Sequence, residues 1–186
     1  MRGSHRTTSM DNKRAAAVLL VAGLLVSVPG PATGCGFEAG PGGITTAHAA
    51  SIPVALAVRA ALDAGRLEPL AAAPGPLALI RANGALRTFA AAFDQAPPGT
   101  LSVAVVLVEA HLWSRVLAGP AGVRFEAHVA GPTPGDAIVV TGEPVLRALL
   151  DGKLGWNDAV AAGLVIVDAT AEGRDRIGQL LARRLG

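Results

Sequence analysis

The chain has 186 residues, a formal net charge of +2, a pI near 9.3 and a single Cys. One Cys excludes an internal disulfide framework and a Cys-based zinc site. A mean hydropathy of +0.46 with 51% hydrophobic residues excludes a disordered tail, and 3% aromatics without any Tyr argue against a base-stacking nucleic-acid platform.

Lys13 and Arg14 precede an uncharged apolar run from Ala15 to Val28, which Pro29, Gly30 and Pro31 end. Charge, then about 7–15 apolar residues, then small residues is the order of a secretory signal peptide. The run is short of the roughly 20 residues of a spanning helix. Ala32-Thr33-Gly34-Cys35 then resembles the lipobox of bacterial lipoproteins, in which the Cys becomes the lipidated N-terminus; the usual Leu is Ala32 here. Export with a free thiol and an uncleaved anchor are the alternatives, and Ala47-His48-Ala49 is a competing cleavage site. The expectation is a signal peptide over 1–34, a flexible tether over 35–50 and one globular domain over 51–186, on the periplasmic side of a bacterial membrane. Either Met1 or Met10 serves as the start. Removing 1–34 takes away four basic residues and one acidic, leaving 12 basic and 13 acidic. The basic character belongs to the leader, and the remainder lacks the clustered cations that nucleic acid requires.

From Ser51, a candidate N-cap, Val54, Leu56, Val58, Ala61 and Leu62 predict a helix to about Ala64, stopped by Gly65. A Pro/Ala linker spans 69–76. A second helix is expected over 77–93, weakened at Asn83-Gly84. Leu101 to Leu117 reads as strand, but 17 residues is long for one, so a bulge or break is expected within it. Gly119 to Gly122 is a turn, Val123 to Val129 alternates as a strand, 131–135 turns again, and 137–141 is a third strand. Helices follow over 144–150 and 156–162, a buried strand over 164–167, and a closing helix over 172–185 with Ile177, Leu180, Leu181 and Leu185 on one face. The order predicts an α+β fold, a mainly antiparallel sheet with helices on one face.

The run Asp136 to Thr141, then Val145 to Leu154 with its Gly-Lys-Leu turn, then Asp158 to Val167, resembles the sterol-carrier-protein-2-like domain in element order over about 101–186. Ala161-Ala162-Gly163-Leu164 departs from the family's Met/Phe-rich segment. The resemblance implies a hydrophobic cavity between helices and sheet, a lipid-like ligand and no catalysis. Trp113, Phe125, Leu146, Leu150 and Trp156 are the candidates to line it, set against the plainer role of core residues.

No P-loop, G-x-S-x-G, H-E-x-x-H or C-x-x-C stands in the chain. One constellation recurs: Glu109-Ala-His111 and Glu126-Ala-His128. Pairing Leu117 with Gly122 would set His111 opposite His128 and gather two imidazoles and two carboxylates for a divalent metal, or else leave a solvated face of cross-strand polar pairs. His48 is a further candidate, as a functional loop residue or as a polar contact. Two functional classes follow. The first is an exported, lipid-anchored, non-catalytic protein that binds a hydrophobic small molecule or serves an envelope complex through an unknown protein partner. The second is a periplasmic metalloprotein using Glu109, His111, Glu126 and His128.

Overall fold

The computed structural model describes residues 48–96 and 99–186. The export segment, Cys35 and most of the expected tether lie outside the described residues. The elements in chain order are α1 (Ser51–Asp63), α2 (Gly75–Ala91), a 3-10 turn (Ala92–Gln95), β1 (Leu101–Leu107), β2 (Leu112–Gly119), β3 (Gly122–Ala127), β4 (Ala137–Thr141), α3 (Glu143–Leu150), α4 (Trp156–Ala161), β5 (Val165–Asp168) and α5 (Ala171–Leu185). The sheet order is β3-β2-β1-β4-β5, with β1 and β4 parallel and every other neighbour antiparallel. The fold is α+β with a mainly antiparallel sheet, as the element order predicts.

The break expected within 101–117 is a full reversal, which makes the run a hairpin of β1 and β2. Val108 to His111 form the turn, and His111 takes a left-handed φ of 47°. No Gly, Pro or Asn marks this turn, so the sequence does not show where the run breaks. Val108 still donates its N–H to the Thr141 carbonyl at 2.9 Å, prolonging the parallel pairing of β1 with β4 before the chain reverses. α2 passes unbroken through Asn83-Gly84. Asn83 Nδ2 donates to the Leu79 carbonyl one turn back, and its side chain is used inside the helix instead of against it.

The registers assign faces. Val103, Val105, Leu107, Leu112, Val116, Phe125 and Val139 share one, over which α2, the 3-10 turn and α4 lie. Phe89, Phe93, Leu86, Leu146, Leu149, Trp156, Ile177, Leu180 and Leu181 fill the layer between sheet and helices. The other face carries Ala104, Val106, Trp113 and Val140, also buried, together with Arg115 and Glu126. α1 packs on β4, and His48, just before it, reaches Asp168 on this second face. Among the described residues the main helical layer therefore lies on one face, and α1 packs on the other.

Local chemistry fixes the helix ends. Ser51 does not cap α1. His48 does that work: its carbonyl accepts from the Ser51 N–H at 2.8 Å and its Nδ1 from the Ala50 N–H at 3.1 Å. Thr170 Oγ1 caps α5 through the Gly173 N–H. Gly152 and Gly163, at φ 67° and 68°, end α3 and α4 in the left-handed conformation.

Asp136 is the knot of the sheet's outer half. It stands just before β4, with its side chain 3% exposed. Oδ1 accepts from Ser102 Oγ of β1 at 2.5 Å. Oδ2 accepts from Arg115 Nε of β2 at 3.0 Å and from the Thr133 N–H and hydroxyl at 2.7 and 3.0 Å. Burial works against its charge, but these hydrogen bonds outweigh it and hold the carboxyl below its ordinary value.

Candidate functional site

The polar centre of the molecule lies where α2 meets the start of α3. Glu143, the first residue of α3, is buried. A lone carboxylate there would be costly, and two guanidinium groups offset it. Arg81 of α2 grips it bidentately, Nε to Oε1 at 2.7 Å and Nη2 to Oε2 at 3.2 Å. Arg147, one turn along α3, adds Nε to Oε1 at 3.2 Å and donates Nη2 to the Arg81 carbonyl. Arg81 Nη1 reaches the Ala71 carbonyl at 2.6 Å, so the Pro/Ala linker is pinned to the same knot. The Glu143 carboxylate pushes the Arg81 guanidinium further up from its ordinary value.

Glu109 closes the network from the β1–β2 turn. Its Oε2 accepts the Glu143 N–H at 3.1 Å, supplying α3 with the cap that Gly142 cannot. Burial of this carboxylate raises its pKa, the two backbone N–H groups it accepts oppose the rise, and the Glu143 charge adds to it. Gly142 is required for space: a Cβ there would collide with Glu109 Oε1 and press on Val58. Gly142→Ala is expected to cost about 1–2 kcal/mol by overpacking and to free Glu109 from its cap. Urea midpoints measure the cost, and a Glu109 titration by NMR that moves back toward 4.5 confirms the displacement.

Two adjoining grooves share Arg81, Arg147 and Asp151. One, of about 380 Å³, runs under the linker from Gly65 to Ala71 and reaches Lys153. The other, of about 470 Å³, lies open between α2 and α3. Its walls are Ile80, Ala85 and Leu150, and its polar edge is Arg81, Arg147 and Asp151.

The residues nominated from the sequence do not gather in one cavity. Leu150 lines the second groove. Leu146 is fully buried in the core. Trp156 is buried and stacked on Phe89 at 6.4 Å between ring centroids. Phe125 is on the helical side under Arg87, whose guanidinium carbon is 5.2 Å from the ring centre. Trp113 is buried on the opposite face. Core filling accounts for Leu146 and Trp156, and the sheet itself separates Phe125 from Trp113.

The Glu/His constellation is likewise dispersed. The β2–β3 register pairs Gly119 with Gly122, two residues away from the pairing that would oppose His111 and His128. A two-residue loop closes the hairpin, so Arg115 faces Glu126 and binds it at 3.3 Å, with Arg124 adding 2.7 Å. His128 follows the end of β3 in a left-handed conformation, φ 58°, and its Nε2 lies 3.0 Å from Asn83 Nδ2. His111 belongs to the turn, and Glu109 to the cap of α3. Among the described residues no group of three or more His, Cys, Asp or Glu is placed to hold a metal. His48 is a structural clamp. Its Nδ1 faces the Ala50 N–H and its Nε2 faces Asp168 at 3.0 Å, so both ring nitrogens are committed.

Sequence reasoning missed Glu143, Arg81 and Arg147. The spacing Glu143-x-x-x-Arg147 at a helix start was a usable signal for part of it. Arg81 stands 62 positions from Glu143, and nothing local announces that pair.

No protein-family model and no curated protein matches the chain. Among solved structures, the stereoselective inverting sec-alkylsulfatase Pisa1 from Pseudomonas sp. is similar at 15% identity over 44% of this chain, TM-score 0.38. A double mutant of that sulfatase gives 16% over 47%, TM-score 0.41. The chain spans only 12–13% of the sulfatase's length. The conserved hypothetical protein TT1886 of Thermus thermophilus, described as a possible sterol carrier protein, matches at 17% identity over 56% of this chain and 82% of its own, TM-score 0.30.

Proposed function

We propose that the chain is an exported, lipid-anchored, non-catalytic protein that holds a small hydrophobic molecule in the groove between α2 and α3. The observation that carries the binding half is the groove of about 470 Å³, with Ile80 and Leu150 on its walls and Arg81 and Arg147 at its edge. The lining is mixed: Ile80, Ala85 and Leu150 offer apolar surface to a ligand's hydrophobic part, and Arg81, Arg147, Thr88 and Asp151 offer polar partners that would orient it. Ile80, 67% exposed, leaves apolar surface open to a ligand in the groove. The Glu143 knot gives the groove a rigid floor, because Arg81 and Arg147 are held by hydrogen bonds before any ligand arrives. The anchoring half rests on the order of Lys13-Arg14, the apolar run and Cys35 in the sequence.

A dansyl-labelled undecanoic acid probe tests the groove. Saturable one-to-one binding is expected, and Ile80→Glu with Leu150→Glu is expected to weaken it about tenfold or more while the circular dichroism spectrum stays unchanged. Equal binding by the double variant contradicts the assignment.

A further inference from the structure

The large apolar side chains that stand exposed among the described residues are Ile52, Leu56, Leu77, Leu79, Ile80 and Val160. All but Val160 belong to the first two helices. Ile80 lines the groove already described; Ile52 and Leu56 of α1 have no such role. α1 turns Val54, Val58 and Ala61 inward and buries them. On its outward side Ile52 and Leu56 stand one turn apart, 72% and 66% exposed, with Ala55 between them also exposed. No charged residue occurs from Ser51 to Val58. The first charge, Arg59, pairs with Asp63 at 3.0 Å. A helix face turned to water ordinarily carries charges, and this one carries none over its first two turns.

We propose that this outward face of α1 rests on the surface of the membrane that anchors the chain, burying Ile52 and Leu56 at the headgroup–acyl boundary with Arg59 at the level of the lipid phosphates. The inference depends on the reading of Cys35 as the lipidated residue. Three considerations favour a lipid surface as the occupant. Cys35 and Ser51 are 16 positions apart, so α1 is the first described helix after the anchor along the chain, and the stretch between them reaches at most about 55 Å. The face is small, with two large apolar side chains, whereas a stable interface with a second copy needs about 800 Å² per partner. Two apolar side chains bind a bilayer only weakly by themselves, but a tether turns the contact into an intramolecular one at high effective concentration.

The test uses the full-length chain, produced in a bacterial host and reconstituted into phosphatidylethanolamine–phosphatidylglycerol vesicles. The vesicles contain a phospholipid with a photoactivatable diazirine in its acyl chain. After irradiation, adducts are mapped along the chain by mass spectrometry. They are expected to concentrate on residues 51–59, and Ile52→Asp with Leu56→Asp is expected to reduce them about tenfold. Both positions are exposed, so lipidation of Cys35 and the helical signal should be unchanged in that variant. Undiminished labelling of α1 in the double variant, or adducts centred on α2, overturns the inference while leaving the anchor in place. A wild-type chain that takes up no palmitate and stays in the soluble fraction overturns the anchoring reading itself, and this inference falls with it.

Discussion

Trp156→Ala is expected to lower the unfolding free energy by about 4 kcal/mol, in the upper range for truncating a buried aromatic. The indole is buried, at 2% exposure, at the first position of α4. It stacks on Phe89 of α2, which in turn meets Phe93 edge-to-face at 5.5 Å. These three rings join α2, the 3-10 turn and α4, and truncating the largest leaves a void that the close-packed layer of Leu146, Leu149, Ile177 and Leu181 cannot collapse to fill. The substitution also separates the two roles open to Trp156 from the sequence. As a core residue it should lose stability and, under conditions where the variant remains folded, bind the dansyl probe as the wild type does. As a ligand-lining residue it should lose probe binding first. Urea unfolding followed by circular dichroism, with probe titration of the folded variant, reads both.

Asp136→Asn is expected to cost about 3 kcal/mol, in the range for breaking a buried ion pair. The site presents four donors: the Ser102 and Thr133 hydroxyls, the Thr133 N–H and Arg115 Nε. A carboxylate accepts from all of them. An amide can accept through one atom only and sets its own N–H₂ against donors on the other side. Arg115, whose side chain is 14% exposed, keeps only Glu126 and the Gly131 carbonyl. The pH dependence follows from the direction of the shift. Asp136 is held below its ordinary 3.8, so the stability it contributes is fully present above 3.8 and is lost as pH falls through the folded-state value. The gap between wild type and Asp136→Asn should therefore be widest at neutral pH and should narrow below about 3.8. Glu109 works in the opposite sense. Its pKa is raised, so its contribution is most favourable below 4.5 and declines as pH rises through the folded-state value. Denaturation midpoints at neutral and acidic pH separate the two, since Gly142→Ala should remove the second dependence and leave the first.

Most elements were legible because their signals are local. α5 announces itself through Ile177, Leu180, Leu181 and Leu185, and all four are buried. β4 occupies residues 137–141, as its apolar run predicts, and α3 and α4 stop at their glycines. The break within 101–117 was legible from the length of the run, but its place was not, because Val108 to His111 contains no turn-forming residue. What reverses the chain there is His111 in a left-handed conformation and the pairing of Val108 with Thr141, on a strand well downstream. The β2–β3 register turned on loop length alone. Closing the hairpin with two residues instead of four leaves every side chain on its expected face but shifts each partner by two residues, which is enough to give Glu126 to Arg115 and dissolve the Glu/His cluster. The candidate groove was half legible. Leu150 was a ligand-lining candidate from the sequence, while Ile80 has the spacing of a core position of α2 and turns outward instead. Arg81 and Arg147 owe their placement to a carboxylate that only the fold brings near.

Native mass spectrometry of the full chain, extracted in mild detergent from the membranes of a bacterial host, bears most directly on the account. The predicted result is a mass that begins at a diacylated Cys35 and carries one small hydrophobic molecule, with the molecule lost and the acylation kept in the Ile80→Glu, Leu150→Glu variant. A wild-type chain with an unmodified Cys35 and no bound molecule would contradict it.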